Sequence, residues 1–199
     1  MNVLVNYADN GFLLAQRRNA DSAVAAGNFD DVWMRNRASL DAAFVAKNEA
    51  ILAQPRGAGY WLWKPAIIAR ALRALGDDDH LFYCDSGCLF INPIDEVIDV
   101  HQRELDDKGI VLFKTTMWVE TGPPWQDAPE YMWTKRDVFA ALDADVAATT
   151  RSAQANGATI LLRRRDFAIR FVDDWLAYCE DPHLLTDTPS RQPNYAGYN

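Results

Sequence analysis

Short apolar runs separated by stretches of helical periodicity recur along this 199-residue chain, and that alternation limits the folds open to it. Val3-Leu4-Val5 reads as a first buried strand, closed by the loop Asn6 to Gly11. The alanine-rich stretch from Phe12 to Ala26 has apolar residues at helical spacing, with Gly27 as its stop. Val32-Trp33-Met34 predicts a second strand, and Leu40, Phe44 and Ile51 share one face of an amphipathic helix from about Ser39 to Leu52. Pro65 stands where a helix begins without losing a hydrogen bond, and Ile67 to Leu75 continue that helix to Gly76. Further strands are expected at Leu81–Cys84, Ile110–Phe113 and Thr159–Leu162, with helices at Ile94–Leu105 and Phe167–Cys179. This order predicts an α/β layer sandwich.

Composition narrows the class. An apolar content of 49% over this length fits a single domain, residues 1–199, and a net charge of -8 argues against a nucleic-acid partner. Cys84, Cys88 and Cys179 cannot form a full disulfide set and show no paired CxxC spacing, which suits a reducing, cytoplasmic setting. The N-terminus has neither a basic region nor a long apolar run, so neither a signal peptide nor an anchor is expected. No stretch reaches the roughly 20 apolar residues of a transmembrane segment. The loop from Thr115 to Glu130, rich in Pro and Trp, is long enough to be a lid or binding loop. Thr134 and Asp137 have the spacing of a helix-capping pair.

Two segments concentrate the chemistry. Leu81-Phe82-Tyr83-Cys84-Asp85-Ser86-Gly87 is a buried strand that ends in a carboxylate and then a glycine. In open α/β sheets the C-terminal edge is where ligands bind. A hard divalent cation, Mn2+ or Mg2+, needs few protein carboxylates when a diphosphate supplies other oxygens, so Asp85 is the candidate metal ligand, with Ser86 and Gly87 beside the diphosphate. The same residues also suit an ordinary turn. About twenty residues earlier, Arg56-Gly57-Ala58-Gly59-Tyr60-Trp61-Leu62-Trp63-Lys64-Pro65 opens a helix with glycines, aromatics and a cation placed to touch a phosphate. If extended, it puts Trp61 and Trp63 on one side and Tyr60 and Leu62 on the other, and each aromatic taken singly also suits the core. Arg163-Arg164-Arg165 reads as a solvated basic edge rather than a diphosphate site. Gly57-x-Gly59 lacks the third glycine and the preceding strand of a dinucleotide fingerprint, and no Walker loop or nucleophile elbow occurs.

Taken together, Gly57 to Pro65, Phe82-Tyr83-Cys84-Asp85-Ser86-Gly87, Trp133-Thr134-Lys135-Arg136-Asp137 and Gln154-Ala155-Asn156-Gly157-Ala158 make the chain resemble a small GT-A type glycosyltransferase. Such proteins occur in bacterial capsule and lipopolysaccharide clusters and in some large viruses. The resemblance extends from Val3 to about Asp187. It implies a Rossmann-like three-layer sandwich with a central mixed, mostly parallel sheet. Tyr7 and Ala8 would contact the nucleotide base, with Tyr60, Trp63 and Lys64 also on the donor side. Asp85 would take the place of the metal-binding Asp-x-Asp motif, with Gly87 where the second carboxylate would be. Gln154, Asn156 and Gly157 would lie under the donor sugar. Asp137, Glu120 and Glu130 would be the acids nearest the acceptor, hence candidates for a general base. The family pattern also carries a His- and Asp-containing segment beyond a stretch like Leu184 to Asp187.

The activity so implied is metal-assisted transfer of a hexosyl or deoxyhexosyl group from a UDP- or GDP-sugar to a hydroxyl of a glycan, as in polysaccharide biosynthesis. A catalytically weak nucleotide- or carbohydrate-binding domain of the same fold is the alternative. A sugar-nucleotide pyrophosphorylase is disfavoured, because the loop after the first strand lacks a glycine-rich phosphate signature.

Overall fold

The computed structural model describes residues 1–9, 11–118 and 125–198. The chain begins β1 (Asn2–Tyr7), α1 (Leu13–Ala25), β2 (Asp31–Arg35), then α2 (Ala42–Lys47), α3 (Glu49–Leu52), a turn α4 (Gly57–Tyr60) and α5 (Trp63–Ala74). It continues with β3 (His80–Cys84), α6 (Asp95–Val100), α7 (Gln102–Asp107), β4 (Ile110–Lys114), β5 (Thr116–Trp118) and β6 (Trp125–Asp127). The last elements are α8 (Arg136–Ala141), α9 (Ala147–Thr150), β7 (Ala155–Arg163), α10 (Asp166–Cys179) and α11 (Pro182–Leu185).

One sheet has the order β2-β1-β3-β7-β4. β1 runs parallel to β2, with Tyr7 opposite Arg35, and parallel to β3, with Val5 opposite Tyr83. β7 is antiparallel to β3 and sets Thr159 against Cys84. The sheet is thus mixed and mostly parallel, as expected. Side chains alternate along a strand, so Val3, Val5 and Tyr7 with Leu81, Tyr83, Ile160 and Leu162 face one way. They pack on Ile67, Ile68 and Leu72 of α5 and Val172 of α10. The opposite face meets α1, where buried Asn6 donates to Asn19 Oδ1 at 2.7 Å and accepts from Gln16 Nε2 at 3.0 Å. Burying amides on the sheet is tolerable only because each finds a partner. A second, two-stranded sheet pairs β5 with β6.

Several expected boundaries move. The helix expected from Ser39 to Leu52 is a 3-10 turn at Arg37–Ser39 followed by α2 and α3. Asp41 caps α2 by accepting from the amides of Ala43 and Phe44, and the backbone leaves helical values at Asn48 (φ -111°, ψ 18°). The helix expected from Ile94 to Leu105 breaks at His101 into α6 and α7. Thr134 does not cap α8. Lys135 occupies that position, and Thr134 Oγ1 donates to Glu130 Oε2 at 3.0 Å. The expected loop from Thr115 to Glu130 contains β5 and β6, with residues 119–124 outside the described part.

By internal contacts the chain forms two compact units, Met1–Val111 with Ala158–Glu180, and Leu112–Gly157 with Asp181–Asn199. In the first, the three-arginine run serves structure: Arg163 bonds Asp78 at 2.5 Å and also Asp106, and Arg164 bonds Asp77 at 2.7 Å. These pairs tie the acidic turn before β3 to the end of β7. In the second, consecutive residues fasten the aperiodic tail. Lys135 Nζ donates to the carbonyls of His183 and Thr188, each at 2.6 Å. Arg136 N donates to Asn194 Oδ1 at 2.9 Å, and Asp145 accepts from Tyr195 OH at 2.5 Å. Among the described residues, no helix is long and apolar enough to cross a membrane.

Candidate functional site

The glycine-rich segment is not extended, so the expected alternation of its aromatics is replaced by a tighter device. Gly57, Ala58, Gly59, Tyr60 and Trp61 all have positive φ, between 51° and 100°. A left-handed backbone costs a residue with a Cβ about 1–2 kcal/mol, so Ala58, Tyr60 and Trp61 hold strain that neighbouring contacts must offset. The contacts are visible. Trp63 Nε1 donates to Gly57 O at 2.9 Å, and Tyr60 N donates to Arg56 O at 2.7 Å. A Cβ on Gly57 would meet the Trp61 ring at 2.5 Å, and one on Gly59 would meet Leu52 Cα at 2.7 Å. The glycines are therefore required by close approach as well as by φ.

This turn leads directly into α5 and delivers Trp63 and Lys64 to the C-terminal edge of β1 and β3. Trp63 stacks on Tyr7 with ring centroids 3.8 Å apart and planes 11° from parallel. Lys64, only 7% exposed, places Nζ 3.0 Å from Asp85 Oδ1 and 4.9 Å from the centre of the Tyr83 ring. Tyr83 OH donates to the same carboxylate oxygen. Burial, then the adjacent Asp85 charge, raises the Tyr83 phenol well above its ordinary value, so it stays a donor. Burial likewise raises Tyr7. The turn after β3 is fixed by the Asp85 amide donating to Ala158 O at 2.8 Å and by Ser86 Oγ donating to Tyr7 O at 2.5 Å.

Above this cluster lies a cavity of about 330 Å³ lined by Tyr7, Ala8, Asp9, Phe12, Trp63 and Asp85 through Gly87, with Pro55, Gly57, Ala58 and Trp61 closing one side. A Cβ at Gly87 would meet nothing within 4 Å, so that glycine faces open space. Asp85 has its side chain 40% exposed, and both its protein contacts fall on Oδ1. Oδ2 makes no hydrogen bond among the described residues and is free to meet a cation. That suits one ligand of a hard divalent ion. It does not suit a complete protein shell, since the described residues contain no group of three His, Cys, Asp or Glu side chains able to hold a metal. Diphosphate oxygens and water would have to complete the coordination.

The residues expected from sequence divide accordingly. Tyr7, Ala8, Trp63, Asp85, Ser86 and Gly87 line one cavity, and Lys64 backs it from beneath Asp85. Tyr60 lies outside the lining, under the Arg56 guanidinium at 5.9 Å. Gln154, Asn156 and Gly157 belong to the second unit, where Gln154 pairs its backbone with Thr115 and Ala128. Asp137 is buried and accepts from His183 Nε2 at 2.5 Å and from the amides of Arg191 at 2.8 Å and Gln192 at 3.2 Å. Burial opposes its charge, yet these donors prevail and hold it below the usual carboxylate range. Its observed job is fastening the tail. Glu130 is also engaged, by Thr134 Oγ1 and the amide of Ala155. Glu120 lies outside the described residues. Trp61, expected beside Trp63, also lines the cavity, whereas Asp9, Phe12 and Pro55 were not foreseen. Asp9 had a signal, since it follows the first strand as Asp85 follows the third.

No family model and no curated protein matches this sequence. Among solved structures, the chain is similar to the apo-form glycosyltransferase GlyE of Streptococcus pneumoniae TIGR4, at 11% identity and a TM-score of 0.43, over 94% of this chain and 40% of that one. It is also similar to apo mouse xyloside xylosyltransferase 1, at 10% identity and a TM-score of 0.45, over 92% of this chain and 72% of that one. The chain therefore spans less than half the length of GlyE.

Proposed function

We propose that this chain is a glycosyltransferase of the GT-A type that takes a nucleoside diphosphate sugar as donor and a glycan hydroxyl as acceptor. The observation that carries the reading is the half-exposed Asp85, held on Oδ1 by Lys64 and Tyr83, which lines a cavity together with the stacked rings of Tyr7 and Trp63. A nucleoside diphosphate presents an aromatic base, hydroxyls and an anion. The cavity offers Tyr7 and Trp63 to the base, Asp9 to hydroxyls, and the open edge at Gly87 to the diphosphate.

In the transfer, the bond between the anomeric carbon and the diphosphate oxygen breaks, a bond to the acceptor oxygen forms, and the acceptor proton passes to a base. The nucleoside diphosphate leaves carrying the electron pair. Lys64 fixes the orientation of Asp85 from below, and its ammonium lowers the cost of gathering negative charge there. Mn2+ or Mg2+ bound through Asp85 and the diphosphate would supply Lewis-acid stabilisation of the leaving group. UDP- and GDP-sugars, a cytoplasmic setting and a polysaccharide acceptor belong to the same proposal.

A binding domain of weak or no turnover is the second reading. It is favoured by Asp137 and Glu130, whose carboxylates are committed to hydrogen bonds inside their own unit. Hydrolysis of a panel of nucleoside diphosphate sugars with Mn2+ and Mg2+ separates the two. Hydrolysis by the native chain and its loss in Asp85→Ala support the transferase, whereas binding without hydrolysis or transfer under any condition supports the binding domain.

A further inference from the structure

A second cavity, of about 360 Å³, lies between the C-terminal end of β2, α2, α5 and α10, and shares no lining residue with the first. Its walls are Trp33, Leu40, Phe44, Ile67 and Leu176. Two guanidiniums, Arg35 and Arg70, also line it. The Trp33 indole is pinned on one side by its Nε1 donating to Asp31 Oδ2 at 2.7 Å, and carries the Arg35 guanidinium 5.2 Å above its ring. Arg70 Nη1 donates to Ser39 O at 2.9 Å, and neither arginine has an ion pair among the described residues. The Arg35 guanidinium makes no hydrogen bond there either. Asp41, the acid in the lining, gives Oδ1 to the amides of Ala43 and Phe44. Burial, and then the neighbouring Arg70 charge, lower Arg35 from its ordinary value against the opposing charge of Asp31. Among the described residues no carboxylate bonds either guanidinium, which leaves two like charges beside an apolar chamber and suits them to an anion.

We infer that this cavity binds a small amphipathic carboxylate, whose apolar body fills the Trp33–Phe44 chamber while its carboxylate is shared by Arg35 and Arg70. A cavity of about 150 Å³ suffices for benzene, so this one has room for a ring and a short chain. The inference is independent of Asp85 and of the proposed donor.

The test follows the Trp33 indole N–H resonance, assigned by its loss in Trp33→Phe, during titration with 3-phenylpropionate and with the neutral 3-phenylpropanol. Saturable shifts with the acid are expected, with affinity at least about ten-fold above the alcohol's, the usual worth of a charge-assisted bond. Arg35→Gln and the exposed Arg70→Gln should each weaken the acid by about ten-fold and leave the alcohol unchanged. Asp85→Asn should leave the affinity for the acid unchanged. Equal binding of acid and alcohol, no shift at millimolar acid, unchanged affinity in both arginine variants, or loss of the shift in Asp85→Asn overturns the inference.

Discussion

Gly59→Ala probes the left-handed turn on which the first cavity is built. Gly59 has φ +100°, and a Cβ there would lie 2.7 Å from Leu52 Cα and 3.2 Å from Ile51 O. Both contacts are backbone atoms of α3, where Ile51 and Leu52 are each 4% exposed, so no flexible side chain can yield. The backbone conformation costs about 1–2 kcal/mol for a residue with a Cβ, and forcing a methyl into a packed contact adds about 1–3 kcal/mol. A loss of about 2–5 kcal/mol corresponds to a drop in Tm of roughly 4–20 °C for a chain of this size. Melting followed by circular dichroism reads it directly. Gly87→Ala is the matched control, because its Cβ would meet nothing within 4 Å. That variant should melt within about 2 °C of the native chain while weakening donor binding, since its methyl stands in the cavity. A Gly59→Ala protein as stable as the native one, or equal losses from both variants, would contradict the close approach of Gly59 to α3.

Lys64→Met leaves Asp85 with Tyr83 alone. Because Lys64 is 7% exposed while Asp85 is partly solvated, a loss of about 1–3 kcal/mol is expected, and unchanged melting would contradict the pairing. Asp137 titrates below the ordinary carboxylate value in the folded chain, so its contribution is complete above about pH 3.9 and is lost as pH falls through the lower folded value. Hydrogen exchange at the Arg191 and Gln192 amides, corrected for intrinsic rates, should accelerate over that acidic window, and in Asp137→Asn already at neutral pH. Burial raises the Cys84 thiol and pushes Cys179 up to about 11. Alkylation mapped by peptide mass at about pH 8 should therefore be far slower at both than in unfolded chain, and equal rates would contradict the raised thiols of buried Cys84 and half-buried Cys179.

The parallel strands were legible because β1 and β3 are short, continuous apolar runs, and a carboxylate closing such a run marks a sheet edge wherever it occurs. Helix interruptions were not, since Asn48 and His101 leave helical geometry through local backbone turns that no apolar period records. The spacing Gly57-x-Gly59 hinted at tight geometry. Left-handed Ala58, Tyr60 and Trp61 were invisible, because their strain is sustained by tertiary contacts such as Trp63 to Gly57 O. Asp137 looked available for chemistry because the residues that engage it, His183, Arg191 and Gln192, sit in a tail without periodicity. Asp9 could have been read by the same rule that singled out Asp85, as a carboxylate just past the end of a buried strand.

Calorimetric titration with a panel of UDP- and GDP-sugars in the presence of Mn2+ asks whether the cavity beside Asp85 is the proposed nucleotide-sugar site. Saturable binding of at least one donor to the native chain is expected. Affinity should be at least about ten-fold weaker in Asp85→Asn, whose amide oxygen can still accept from Lys64 and Tyr83 and keep the fold. Absence of binding across the panel, or an Asp85→Asn protein that binds donor as the native chain does, would contradict that site.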